Sequence, residues 1–88
     1  MKIKDIKKII IKKTKIKKIY LDGNEENLNI IAIGDIFTNM SHLKRQQYVY
    51  GPLTKYILKK IIHSVSIKTF TIKEWNFYKK SNIKNSNK

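Results

Sequence analysis

No cysteine occurs among the 88 residues, so the chain by itself forms no disulfide, offers no thiolate to a metal and has no cysteine nucleophile. Any thiolate chemistry has to be borrowed from another molecule. Acidic residues are scarce as well, 6 against 20 Lys and Arg. Three of them, Asp22, Glu25 and Glu26, crowd one short stretch, so a separated acid and base pair is missing. Two histidines, His42 and His63, stand without a cysteine or an evident acidic orienter and do not build a nucleophilic triad. The three glycines, Gly23, Gly34 and Gly51, are too far apart to form a phosphate-cradling loop. The chain therefore reads as a non-enzyme. The N-terminus lacks a long apolar run, Ile9 to Ile11 being its longest, which is too short for a signal-peptide core or a membrane span. A cytoplasmic protein is expected. The Lys and Ile mixture there also suits a basic amphipathic helix on an anionic membrane, but a domain this small needs that apolar face for its core, so no membrane association is expected.

What the chain has in excess is positive charge, a formal +14. Such a charge points toward nucleic acid, whose phosphates release counterions when lysines replace them. Two features dilute that inference. Arg45 is the sole arginine, although two-point phosphate contacts favour the guanidinium fork. The lysines also come with many Ile and Asn residues, the signature of a coding sequence drifted toward A and T. Lys44, Arg45, Lys59, Lys60 and Lys68 are the candidate nucleic-acid contacts, with a solvated basic face as the plainer alternative.

One domain spanning residues 1–80 is expected, because so short a chain supports a single small core. Ile3, Ile6, Ile9 and Ile10 recur with helical spacing up to about Thr14, giving a first helix with lysines on its far side. Ile19 to Leu21 and Leu28 to Ile33 read as two antiparallel strands joined by the polar turn Asp22 to Asn27. Ser41 is a natural cap for a long helix beginning at His42, with Leu43, Tyr50, Leu53, Ile57 and Ile61 on one face and a kink or break at Gly51-Pro52. Ser64 to Phe70 alternates as a third strand. Thr71-Ile72-Lys73-Glu74 is a capping box that starts a last helix, with Trp75 and Tyr78 or Phe77 turned inward. Residues 81–88 are polar and read as a flexible tail. The order is α-β-β-α-β-α, an α+β fold.

The run Met40-Ser-His-Leu-Lys-Arg-Gln-Gln-Tyr-Val-Tyr-Gly-Pro-Leu53, followed by Ile62-His-Ser-Val-Ser-Ile-Lys68 and extending to Trp75, closely resembles the BolA family. Gln46-Gln47, Val49-Tyr50-Gly51-Pro52-Leu53 and the Ile62 to Lys68 strand look like its IbaG (YrbA) branch. The similarity continues upstream through Ile19 to Gly23 and Ile31 to Phe37 in the same register. The resemblance implies a three-stranded mixed sheet backed by helices, similar to the class II KH domain.

The resemblance also gives His63 a meaning. Chemistry alone favours a histidine that caps the carbonyls of the preceding helix. By position, however, His63 matches the family's histidine, an iron ligand when such proteins pair with a monothiol glutaredoxin. The implied cofactor is a [2Fe-2S] cluster shared with the glutaredoxin cysteine and glutathione, with none held by the isolated chain. Imidazole in place of thiolate raises the potential of the iron it binds. His63, Ser64, Ser66 and Lys68 are the implied partner contacts, and alone the chain is expected to be a monomer or weak homodimer. Where relatives carry a second His or Cys in the loop between the first two strands, this chain has Asn27, whose amide oxygen is a poor ligand for such an iron site. His42 does not match the family histidine and reads as a surface residue. A KH-type Gly-x-x-Gly clamp is also missing, with Thr38-Asn39-Met40-Ser41 at the corresponding connection, which disfavours close approach of a nucleic-acid backbone. Two functions follow from these residues: a glutaredoxin-binding adaptor in iron-sulfur cluster handling or iron- and acid-stress-linked regulation, and a DNA-binding regulator that uses the basic surface.

Overall fold

Alternating apolar residues make the sheet two-faced, and that alternation organises the molecule. A computed structural model describes the backbone of residues 2–86 and the side-chain surroundings of residues 2–81. Helix α1 (Ile3–Lys13) leads into β1 (Lys18–Gly23) and β2 (Leu28–Ile33). A short 3-10 turn at Asp35–Phe37 precedes α2 (His42–Tyr50), and a second at Gly51–Leu53 joins it to α3 (Thr54–Leu58). Strand β3 (Val65–Phe70) and α4 (Ile72–Ser86) complete the chain. The strands lie in the order β1-β2-β3, with β1 and β2 antiparallel and β2 and β3 parallel, so the sheet is mixed as the family resemblance implies.

The register places Ile19 opposite Ala32 and Leu21 opposite Ile30, while Ile30 faces Ile67 and Ala32 faces Thr69. These side chains share one face. Ile6 and Ile10 of α1, Phe37, Val49, Leu53 and Ile62 pack with Ile19, Ile30 and Ala32 of that face into one buried cluster. Truncating a buried isoleucine in such a core costs about 2–5 kcal/mol. Tyr20, Ile31, Ile33, Lys68 and Phe70 alternate onto the other face, where α4 lays Trp75 against Tyr20 and Phe70 with ring centroids 5.8 and 5.2 Å away.

One expectation is corrected and one alternative is resolved. The long-helix face does not run through Leu43 and Tyr50, which are exposed; α2 turns Arg45 and Val49 inward instead. Leu43 and Tyr50 recur at seven like a buried stripe, whereas the inward face runs through Arg45, Val49 and Leu53, spaced at four. Of the aromatic residues in α4, Trp75 and Tyr78 turn inward, whereas Phe77 is 75% exposed. Helical backbone also continues through 81–86, into the stretch read as a tail. No Gly or Pro interrupts α4 there, so its polar composition leaves the helix without a reason to stop. Residues 87 and 88 lie outside the described residues.

Candidate functional site

The segment after α3 is short and heavily tied down. Lys60 adopts a left-handed φ of 61°, and the N–H groups of Ile61 and Ile62 both donate to the Tyr56 carbonyl, at 2.9 and 3.2 Å. Ile62 is buried in the core. His63 follows, its backbone N–H donating to the Glu25 carbonyl at 2.9 Å, and the Ser64 carbonyl accepts from Leu28 N–H at 2.9 Å. The histidine backbone is thereby pinned against the β1–β2 turn while its imidazole stays half exposed, at 50%.

That turn is built by its own side chains. Asn24 Oδ1 accepts from the Glu26 and Asn27 N–H groups at 2.9 and 3.1 Å, and Asn24 N–H donates to the Asn27 carbonyl at 3.2 Å. Gly23 carries a φ of +93°, and a Cβ there would stand 2.0 Å from the Asn27 carbonyl oxygen. Only glycine fits. The result sets Glu26 Oε1 at 3.8 Å from His63 Nε2. This separation is ionic, not a hydrogen bond, and attracts once the imidazole is protonated.

Two readings of His63 are therefore corrected. It does not cap the preceding helix, because α3 ends at Leu58 and the left-handed Lys60 turns the chain away before His63 is reached. Nor is it without an acidic neighbour: Glu26 is remote in sequence and arrives through the β1–β2 turn, which no local spacing discloses. Among the described residues no group of three or more His, Asp or Glu side chains is placed to hold a metal ion.

Ser64, Ser66 and Lys68 are exposed beyond His63, Ser66 and Lys68 on the outer sheet face. The outer edge of β3 is partly closed, since Gln46 Nε2 donates to the Ile67 carbonyl at 2.7 Å. That bond removes one backbone acceptor from the exposed edge of the sheet.

The candidate nucleic-acid residues do not stay together as a set. Lys44 is exposed on α2, Lys59 and Lys60 in the turn after α3 and Lys68 on β3, and His42 is exposed as expected. Arg45 is a correction: it is only 6% exposed. Its guanidinium binds both Glu74 carboxylate oxygens, at 2.6 and 3.3 Å, and its Nε donates to the Met40 carbonyl at 3.1 Å. Its planar fork joins the α2 start to the α4 cap, a geometry lysine does not reproduce. The sequence marks Arg45 as the lone arginine, but its carboxylate partner is 29 residues away and is supplied only by the fold. Glu74 completes the predicted capping box with Thr71, accepting from Thr71 N–H at 2.8 Å while its own N–H donates to Thr71 Oγ1 at 3.1 Å. The Arg45 hydrogen bond, followed by that from the Thr71 backbone, holds the Glu74 carboxyl below the usual carboxylate range.

The profile described as BolA-like protein matches residues 4–74. The chain belongs to the BolA family. It is 37% identical over 75 residues to the acid stress protein IbaG of Escherichia coli, covering 85% of this chain and 89% of that one, which supports the IbaG branch. The DNA-binding transcriptional regulator BolA of the same bacterium is 32% identical over 53 residues, covering 60% of this chain and 50% of that protein. A solved bolA protein homologue from Coxiella burnetii superposes with a TM-score of 0.74 at 25% identity, covering 86% of this chain and 97% of the other.

Proposed function

We propose that this BolA-family chain is a non-enzymatic cytoplasmic adaptor that docks onto a monothiol glutaredoxin and contributes His63 to a shared [2Fe-2S] cluster, within iron-sulfur cluster handling or iron- and acid-stress-linked regulation. The observation that carries the reading is the half-exposed imidazole on a backbone pinned to the Glu25 carbonyl. A ligand so held needs little reorganisation when a partner presents the remaining donors. Glutaredoxin cysteine and glutathione supply the thiolates that this chain lacks, and Ser64, Ser66 and Lys68 flank the docking surface. Asn27 contributes no ligand. Bound at an iron, neutral imidazole lowers negative charge and raises its reduction potential.

Calorimetric titration against a monothiol glutaredoxin, with and without cluster, tests the reading. The wild type binds the cluster-loaded partner at least tenfold more tightly than His63→Ala does, while the two bind the cluster-free partner alike. Equal affinities in both states contradict the ligand role.

The name of the E. coli regulator BolA favours a second reading, DNA binding through the exposed lysines Lys44, Lys59, Lys60 and Lys68. Under that reading affinity falls steeply with added salt and is indifferent to His63→Ala.

A further inference from the structure

The outward side of α1 carries Lys4, Lys7, Lys8 and Lys12 around Ile11, since residues three and four apart share a helix face. All five are exposed. Beside this stripe a groove of 590 Å³ opens between the end of α1 and the Gly51-Pro52 break that leads into α3. Lys12, Lys13 and Lys55 line it with Ile9, Tyr56 and Leu58, and no acidic side chain does. Leu58 is 76% exposed and Ile11 41%, each beside lysines. The Lys55 ammonium sits over the Tyr56 ring at 5.2 Å from its centroid. Asp22 lies in β1, Glu25 and Glu26 in the turn after it and Asp35 in the first 3-10 turn, Glu74 is committed to Arg45, and Asp5 at the opposite end of α1 accepts from the Lys2 N–H.

From this juxtaposition we propose that the α1–α3 face is a peripheral docking surface for an anionic lipid bilayer. The apolar side of α1 is used in the core through Ile6 and Ile10, as the sequence requires, and the surface proposed is the flank that runs from Ile9 and Lys12 to the exposed Ile11. Its chemistry separates lipid from nucleic acid. Flexible lysines attract a diffuse plane of headgroup charge, and exposed Leu58 and Ile11 gain by entering the headgroup–acyl boundary. A phosphodiester backbone has no use for an exposed leucine, and the arginine fork suited to it is buried at Arg45. His63, Ser64, Ser66 and Lys68 do not line this groove.

The test is sedimentation of the full chain with phosphatidylcholine vesicles, with and without phosphatidylglycerol, at low and high salt. The wild type binds only the anionic vesicles and is released by salt. The triple variant Lys12→Gln, Lys13→Gln, Lys55→Gln loses on the order of 100-fold in partitioning, about fivefold per lysine. The equally charged control Lys44→Gln, Lys68→Gln, Lys73→Gln loses at least tenfold less. Leu58→Ser weakens vesicle binding roughly fivefold and leaves binding to a single-stranded oligonucleotide unchanged. Circular dichroism of each variant verifies that the fold is retained. Failure to bind anionic vesicles, equal losses in the two triple variants, or indifference to Leu58→Ser overturns the proposal. If the groove triple variant loses oligonucleotide binding while its vesicle binding is unchanged, the face is a nucleic-acid surface instead.

Discussion

Arg45 and Glu74 illustrate how one residue can change role between sequence and structure. The guanidinium ties α2 to the cap of α4 and reaches back to the Met40 carbonyl. Arg45→Ala is expected to cost about 2–3 kcal/mol, the scale of hydrogen bonds to a charged group, measured by urea denaturation. Arg45→Lys is expected to recover only part of this, because an ammonium cannot make the forked contact. The same pair gives the stability a definite pH dependence. Glu74 has its folded-state pKa lowered, so the unfolded chain binds its proton more readily. Its contribution is present above the ordinary carboxylate range and fades as pH falls through the depressed value. Thermal melts of wild type and Glu74→Gln should differ at neutral pH and converge in acid; a gap that widens on acidification would contradict the assignment. Thr71-x-x-Glu74 is legible in the sequence because its partners are three residues apart, whereas Arg45 and Glu74 are 29 apart and meet only through the fold.

At the scale of elements, the β1–β2 turn decides where the candidate site sits. Gly23→Ala forces a Cβ into the Asn27 carbonyl and an L-residue into a left-handed backbone, so the turn that carries Glu25 and Glu26 must shift. The expected result is a stability loss of at least about 1 kcal/mol and displaced amide resonances at His63 in a nuclear magnetic resonance spectrum, since His63 N–H bonds to that turn. Unmoved His63 resonances would show that the turn does not position it. The strands and α1 were readable because Ile19, Leu21, Ile30 and Ala32 alternate and Ile6 and Ile10 recur at four. The inward face of α2 was not, because Leu43 and Tyr50 recur at seven like a buried stripe, whereas the helix meets the core through Arg45, Val49 and Leu53, spaced at four, and leaves Leu43 and Tyr50 to water. The position of His63 between the helical segment and β3 was also legible. Its contacts with Glu25 and Glu26 depend on the parallel pairing of β2 with β3, a long-range feature without a local pattern.

The whole molecule carries a net charge of +14 on a small surface, and no helix among its described residues is long and apolar enough to cross a membrane. Self-repulsion of that size opposes compactness, and salt screens it within about 10 Å at 0.1 M. The melting temperature should therefore rise with moderate sodium chloride; a steady fall would mean that attractive surface pairs outweigh repulsion. The central claim concerns His63. Its most direct test is anaerobic reconstitution of iron and sulfide with a monothiol glutaredoxin and glutathione, with and without this chain, followed by visible absorption and circular dichroism. A spectrum altered by the wild type and restored to the glutaredoxin-only form by His63→Ala is the predicted result. A spectrum unaffected by the wild type, or altered equally by His63→Ala, would contradict the ligand assignment.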